Sequence, residues 1–215
     1  MKYLFVNGDS YAYGLSDLEF NAPYKNRYSR LLSNHFDLEE INISNSGASN
    51  DTIVRTTLDW IENNNDKIHE TIFLIGWTIS IREEHFNFRK KKWVVNQNWK
   101  KYEHEYAISN KTFNEKMRNN ILLLQSFFKL NNLKYYFNIA FGESPSFYKE
   151  QKLIDSKYFC KKSFMDVIIE NDPNFYKGKV EWWNNTEKEG YYRHPTENEH
   201  HLYFNYLKER INEIL

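Results

Sequence analysis

The sequence predicts an α/β fold with a mostly parallel central sheet, and three observations carry that prediction. Short apolar runs alternate with stretches of helical periodicity along nearly the whole chain. The first run, Tyr3 to Asn7, is continuously apolar before its last residue, as expected of a central strand covered on both faces. Polar, glycine-bearing turns follow the strand-like runs, where an open parallel sheet binds its ligands.

Each element has its own warrant. Tyr3 to Asn7 feeds the turn Gly8-Asp9-Ser10. Pro23 to Phe36 carries Tyr24, Tyr28, Leu31, Leu32 and Phe36 at helical spacing, with proline near the first turn. Glu40 to Ile43 reads as a second strand and runs into the turn-rich stretch Ser44 to Asn50. Asp51 is placed to cap the next helix, whose apolar face is Ile53, Val54, Thr57, Leu58 and Ile61, and Asn63-Asn64-Asn65 ends it. Thr71 to Ile75 is a third strand. A helix beginning near Thr112 contains Ile121 to Leu130, and Lys134 to Ala140 is a fourth strand. Thr196-Glu197-Asn198-Glu199 forms a capping box before a last helix marked by Tyr203, Tyr206, Leu207, Ile211 and Ile214.

The 215 residues fit one domain spanning 1–215, with an aromatic and basic insertion at about 80–110. That insertion holds Arg82, Arg89-Lys90-Lys91-Lys92, Trp93, Trp99 and Tyr102, and it exceeds ordinary connection lengths. Its aromatics either form a small core of their own or stack on sugar rings or bases. The 29 basic and 29 acidic residues cancel, which argues against nucleic acid as a partner. The single cysteine, Cys160, excludes an internal disulfide and a multi-cysteine zinc framework. No apolar run is long enough to cross a bilayer and no signal peptide is evident, so the expectation is a cytoplasmic protein without a membrane partner. His85, Glu103 and His104 match no recognised ligand spacing, so neither a metal nor another cofactor is expected.

Four polar features fall where chemistry is expected: Gly8-Asp9-Ser10, Asn45-Ser46-Gly47, Gly76-Trp77-Thr78, and His194-Pro195 before the last helix. Nucleophilic acyl transfer needs a hydroxyl, an imidazole to take its proton, and donors aimed at the developing oxyanion. Ser10, His194, Gly47 and Thr78 supply these roles from separate segments.

In order and spacing, these segments resemble the blocks of the SGNH (GDSL-type) hydrolases from Asn7 to the end of the chain. The resemblance implies a three-layer α/β/α flavodoxin-like sandwich and a serine esterase that forms an acyl-enzyme. It casts Ser10 as nucleophile and oxyanion donor through its own N–H, Gly47 as second backbone donor, and His194 as general base. His200 matches a further histidine of that block and is expected to pack at the helix start.

Two positions depart from the pattern. Where the family carries an asparagine oxyanion donor, this chain has Thr78, read equally as a hydroxyl donor or a plain strand-end residue. Where the family carries an aspartate three residues before the histidine, this chain has Tyr191. Glu189, Glu187 or a backbone carbonyl is left to orient the imidazole, or Ser10 and His194 act as a dyad.

The remaining polar residues have local readings. Asp9 is a turn former and helix cap, Asn7 bonds local backbone, and Asn50 caps a helix. Arg55 is solvated or salt-bridged, and Arg82-Glu83-Glu84 forms a surface ion cluster. The expected substrate is a small-molecule or glycan ester, an O-acetylated glycan being favoured. The alternative is a catalytically degenerate module of the same fold that binds a glycan or protein partner.

Overall fold

The computed structural model describes residues 1–16, 23–80, 82–96, 110–140, 151–172 and 194–215. In chain order the principal elements are β1 (Tyr3–Asn7), α1 (Ser10–Tyr13), α2 (Tyr28–His35), β2 (Glu39–Asn42), α3 (Asn50–Asn63) and β3 (Thr71–Trp77). Then follow β4 (Glu83–Asn87), β5 (Lys92–Asn96), α4 (Asn110–Leu130), β6 (Lys134–Ile139), α5 (Phe164–Asn171) and α6 (Glu197–Asn212).

The sheet runs β2-β1-β3-β6 and every pairing in it is parallel. Beyond β6, a single parallel bridge joins Phe137 to Phe159, and the Cys160 N–H donates to the Phe137 carbonyl at 2.8 Å. Side chains alternate across the sheet, so each strand serves two layers. On one face Phe5 meets Trp60 of α3 at 4.6 Å between ring centroids, and Phe73 stacks on Phe128 of α4 at 4.9 Å. On the other, Asn138 donates to the Tyr28 hydroxyl of α2 at 3.3 Å, while Phe164 of α5 stacks on Tyr203 of α6 at 4.2 Å. These are the two helical layers of an α/β/α sandwich. The expected parallel α/β architecture is therefore present.

Several boundaries differ from the sequence expectation, and three of them have a clear physical cause. Helix α2 begins at Tyr28, because Pro23 lies in an extended bridge with Leu15 and Arg27 occupies the cap position. The Arg27 guanidinium donates to both oxygens of the buried Glu40 carboxylate, at 3.1 and 2.6 Å, which fixes where the helix enters. Helix α3 is capped by Ser49 in a capping box with Thr52, not by Asp51. The Asp51 carboxylate instead pairs with Lys116 of α4 at 2.8 Å. Strand β3 runs on to Trp77 because β6 continues to pair with it there.

The insertion begins as an antiparallel hairpin of β4 and β5. Phe86 packs edge-on against Phe88 and Trp93, at 5.2 and 5.5 Å, as a small aromatic cluster of its own. Lys90, Lys91 and Lys92 are solvent-exposed. Trp99, Tyr102, Glu103 and His104 lie outside the described residues. Among the described residues, no helix is long and apolar enough to cross a membrane.

Candidate active site

The carboxyl ends of β1, β2 and β3 bring three polar turns together. Close packing at the first requires glycine: a Cβ on Gly8 would fall 2.6 Å from that of Ala12 and 2.9 Å from the Gly76 carbonyl oxygen. Asp9 then caps α1 by accepting the Tyr11 N–H at 3.0 Å, which puts Ser10 at the first helical position, buried. The second turn is tied to the first by the Asn45 N–H, which donates to the Gly8 carbonyl at 3.1 Å. Gly47 sits within it at φ +75°, a left-handed conformation that glycine adopts without steric cost.

The third turn is held by two side chains that the sequence reading assigned elsewhere. Asn50 accepts the Thr78 N–H at 3.0 Å and donates to the Thr78 carbonyl at 3.2 Å. It therefore clamps the end of β3 instead of capping α3, the role that Ser49 fills. The Thr78 hydroxyl donates to Asp9 Oδ2 at 2.6 Å. A hydroxyl carries one proton, so in this arrangement Thr78 has none left for an oxyanion.

Arg82 completes the cluster. Its Nη1 donates to Thr78 Oγ1 at 2.8 Å, to Asp9 Oδ2 at 3.2 Å and to the Ala48 carbonyl at 3.4 Å. The ion pair is buried, with side-chain exposures of 10% for Arg82 and 1% for Asp9, so the surface-cluster reading of Arg82 is corrected. The Glu84 side chain is likewise shielded, at 4% exposure. Its carboxylate accepts from Arg55 at 3.0 and 2.7 Å and from the Thr52 hydroxyl at 3.0 Å, docking the hairpin on α3. Asn7 is corrected too: its amide donates across the layer to the Ile53 carbonyl and the Thr56 and Thr57 hydroxyls of α3, at 2.8 to 3.0 Å.

His194 precedes α6, whose start is fixed by the Thr196–Glu199 capping box. Its ring lies 6.1 Å from that of Tyr11, the residue after Ser10, so the segment before α6 reaches α1. Among the described residues, no hydrogen bond joins the Ser10 hydroxyl to His194. Glu187, Glu189 and Tyr191 lie outside the described residues. His200 is fully buried, stacked on Tyr28 at 5.8 Å, and its Nδ1 accepts the Tyr28 N–H at 3.4 Å. Burial, with the nearby Arg27 charge, pushes its imidazole down to about 3, so it packs as a neutral ring. Burial also pushes the Cys160 thiol up to about 12, which keeps it protonated and unreactive.

A cleft of about 530 Å³ opens beside Gly47, between the β2–α3 turn, α3 and the hairpin. Its lining includes Asn45, Ser46, Arg55, Glu84 and Trp93, while Ser10 and His194 lie outside it. The Arg55 guanidinium covers the Trp93 ring at 4.8 Å, and that ring is 47% exposed. Asn50 and Arg82 were the site residues that sequence reasoning missed. Their one visible signal was position, each flanking a strand-end turn.

No family model and no curated protein sequence matches the chain. Solved structures do share its fold. One is a carbohydrate esterase whose active site is described as displaying divergent catalytic and non-catalytic binding functions. It is 14% identical, with a TM-score of 0.54 over 99% of this chain and 65% of that one. A lipolytic protein of the G-D-S-L family from Veillonella parvula is 10% identical, with a TM-score of 0.44 over 100% and 98% of the two chains. A psychrotrophic esterase from Pseudoalteromonas is 14% identical, with a TM-score of 0.44 over 100% and 96%. At these identities the likeness concerns the fold.

Proposed function

We propose that the protein is a serine ester hydrolase of the SGNH type. The observation that carries this reading is the meeting of three strand-end turns at one sheet edge, with the His194 ring 6.1 Å from that of Tyr11 beside Ser10. In the proposed reaction Ser10 Oγ attacks the ester carbonyl and His194 takes its proton. The alcohol leaves with that proton, and an acyl-Ser10 intermediate remains. Water then attacks the acyl carbon, giving its proton to His194, and the acid and free Ser10 are released. The Ser10 and Gly47 N–H groups would stabilise the oxyanion, and Glu189 would orient the imidazole. Hydrogen bonds between nucleophile and base are often long without substrate and shorten when it binds.

An O-acetylated glycan is the proposed substrate class. The cleft beside Gly47 supports it: its volume of about 530 Å³ suits a small ligand, and its lining joins an exposed tryptophan to polar and charged groups. A second reading, a non-catalytic binding module of the same fold, is favoured by the direction of the Thr78 proton toward Asp9.

Turnover of 4-nitrophenyl acetate, read with fluorophosphonate labelling and peptide mass spectrometry, separates the two. The hydrolase reading expects a label on Ser10 and at least ~10³-fold slower turnover in Ser10→Ala, the scale set by loss of a triad nucleophile. Equal turnover in the variant would remove Ser10 from the mechanism. An unlabelled, inactive wild type would favour the binding module.

A further inference from the structure

We infer that Arg82 is a positioning residue of the Ser10 site, holding the three strand-end turns in register and cancelling the Asp9 charge beside them. The inference rests on the serine-esterase reading and deepens it. Its basis is that one guanidinium nitrogen bonds a group in each turn: Asp9, which precedes Ser10; Ala48, which follows Gly47; and Thr78.

The chemistry of the cluster explains why such a residue is needed. The Thr78 proton points at Asp9, so that hydroxyl offers no donor to an oxyanion. Asp9 is meanwhile a buried carboxylate one residue from the nucleophile. Left unneutralised, its negative charge would oppose the negative charge that develops as Ser10 attacks, and burial weakens the screening that water would provide. A neutral ester in the ground state feels much less of that field. The effect is therefore selective for the transition state and acts on kcat more than on KM.

Arginine suits the task because its rigid, planar fork stays charged and offers several donors at once. Lysine would keep the charge and lose the fork. Glutamine would keep a donor and lose the charge. Asparagine at position 9 would still cap α1, because its side-chain oxygen can accept the Tyr11 N–H, and would carry no charge to neutralise.

The test is kcat for 4-nitrophenyl acetate, normalised to sites titrated by fluorophosphonate and measured well below each variant's melting temperature. Arg82→Gln is expected to lower kcat by about 10²-fold with KM within about three-fold, the scale of losing one oxyanion-stabilising group. Arg82→Lys should retain roughly ten-fold more activity than Arg82→Gln. The double variant Asp9→Asn with Arg82→Gln should regain at least about ten-fold over Arg82→Gln alone, which a purely structural role in folding would not produce per titrated site. Where the glutamine variant does not fold, Arg82→Lys alone decides: a ten-fold lower kcat supports the inference and an unchanged kcat overturns it. With wild type active, a normal kcat in Arg82→Gln, or no recovery in the double variant, also overturns it. A wild type that neither labels at Ser10 nor turns over removes the esterase reading, and the inference with it.

Discussion

At the scale of single residues, the two histidines carried forward from the sequence have opposite surroundings. His194 stands half-buried at the start of α6, whereas His200 is enclosed by Tyr24, Tyr28 and Phe164. The ionisation of His200 is displaced from an ordinary value of 6.5 to about 3 by its burial. The unfolded chain therefore binds a proton there below about pH 6.5 that the folded chain refuses until about pH 3, and stability is lost as pH falls. The slope from this group approaches about 1.4 kcal/mol per pH unit. Urea unfolding between pH 6.5 and about 5, above most carboxylate titration, should show that decline, and His200→Phe should flatten it whatever its absolute stability. A wild-type slope in the variant would assign the dependence to other groups. The expectation that His200 packs at the helix start rested on the block resemblance, and its full burial agrees with it. The partners of Asp9 were not legible in the sequence, since Arg82 lies 73 residues away and only the fold brings it near.

At the scale of elements, strand cores and helix faces were readable because burial imposes periodicity, while helix starts were decided by competition among neighbouring caps. Ser49, Asn50 and Asp51 are all capping types in a row. Ser49 prevails because tertiary structure claims the others: Asn50 holds the Thr78 backbone and Asp51 pairs with Lys116. Ser49→Ala should therefore cost about 1 kcal/mol in urea unfolding, the usual loss for an N-cap. A variant as stable as wild type would return the cap to Asp51. The same competition explains α2, whose first turn gives way to a bridge at Pro23 and an Arg27–Glu40 pair that local pattern does not reveal.

At the scale of the whole molecule, the chain order of the blocks was legible because a parallel sheet with right-handed crossovers leaves few ways to arrange β1, β2 and β3. What surrounds the site was less so, because the insertion packs through particular ion pairs. Glu84 joins the hairpin to α3, and Trp93 closes one side of the cleft under Arg55. This makes Trp93 a peripheral residue in energetic terms. It is 47% exposed and packs on the hairpin and Arg55, unlike Phe73 and Phe128, which stack fully buried between sheet and helix. Truncating Phe73 to alanine should cost about 3–5 kcal/mol, a large part of the roughly 5–15 kcal/mol that holds a domain folded. Truncating Trp93 should cost under about 1 kcal/mol, since nearly half of it already meets water. If the cleft receives the sugar of a glycan ester, Trp93→Ala should also lower the ratio of kcat/KM for an acetylated oligosaccharide to that for 4-nitrophenyl acetate, by about ten-fold. That corresponds to roughly 1.4 kcal/mol of lost transition-state binding, within the range of one aromatic contact. An unchanged ratio would exclude Trp93 from substrate recognition and leave the hairpin a structural appendage.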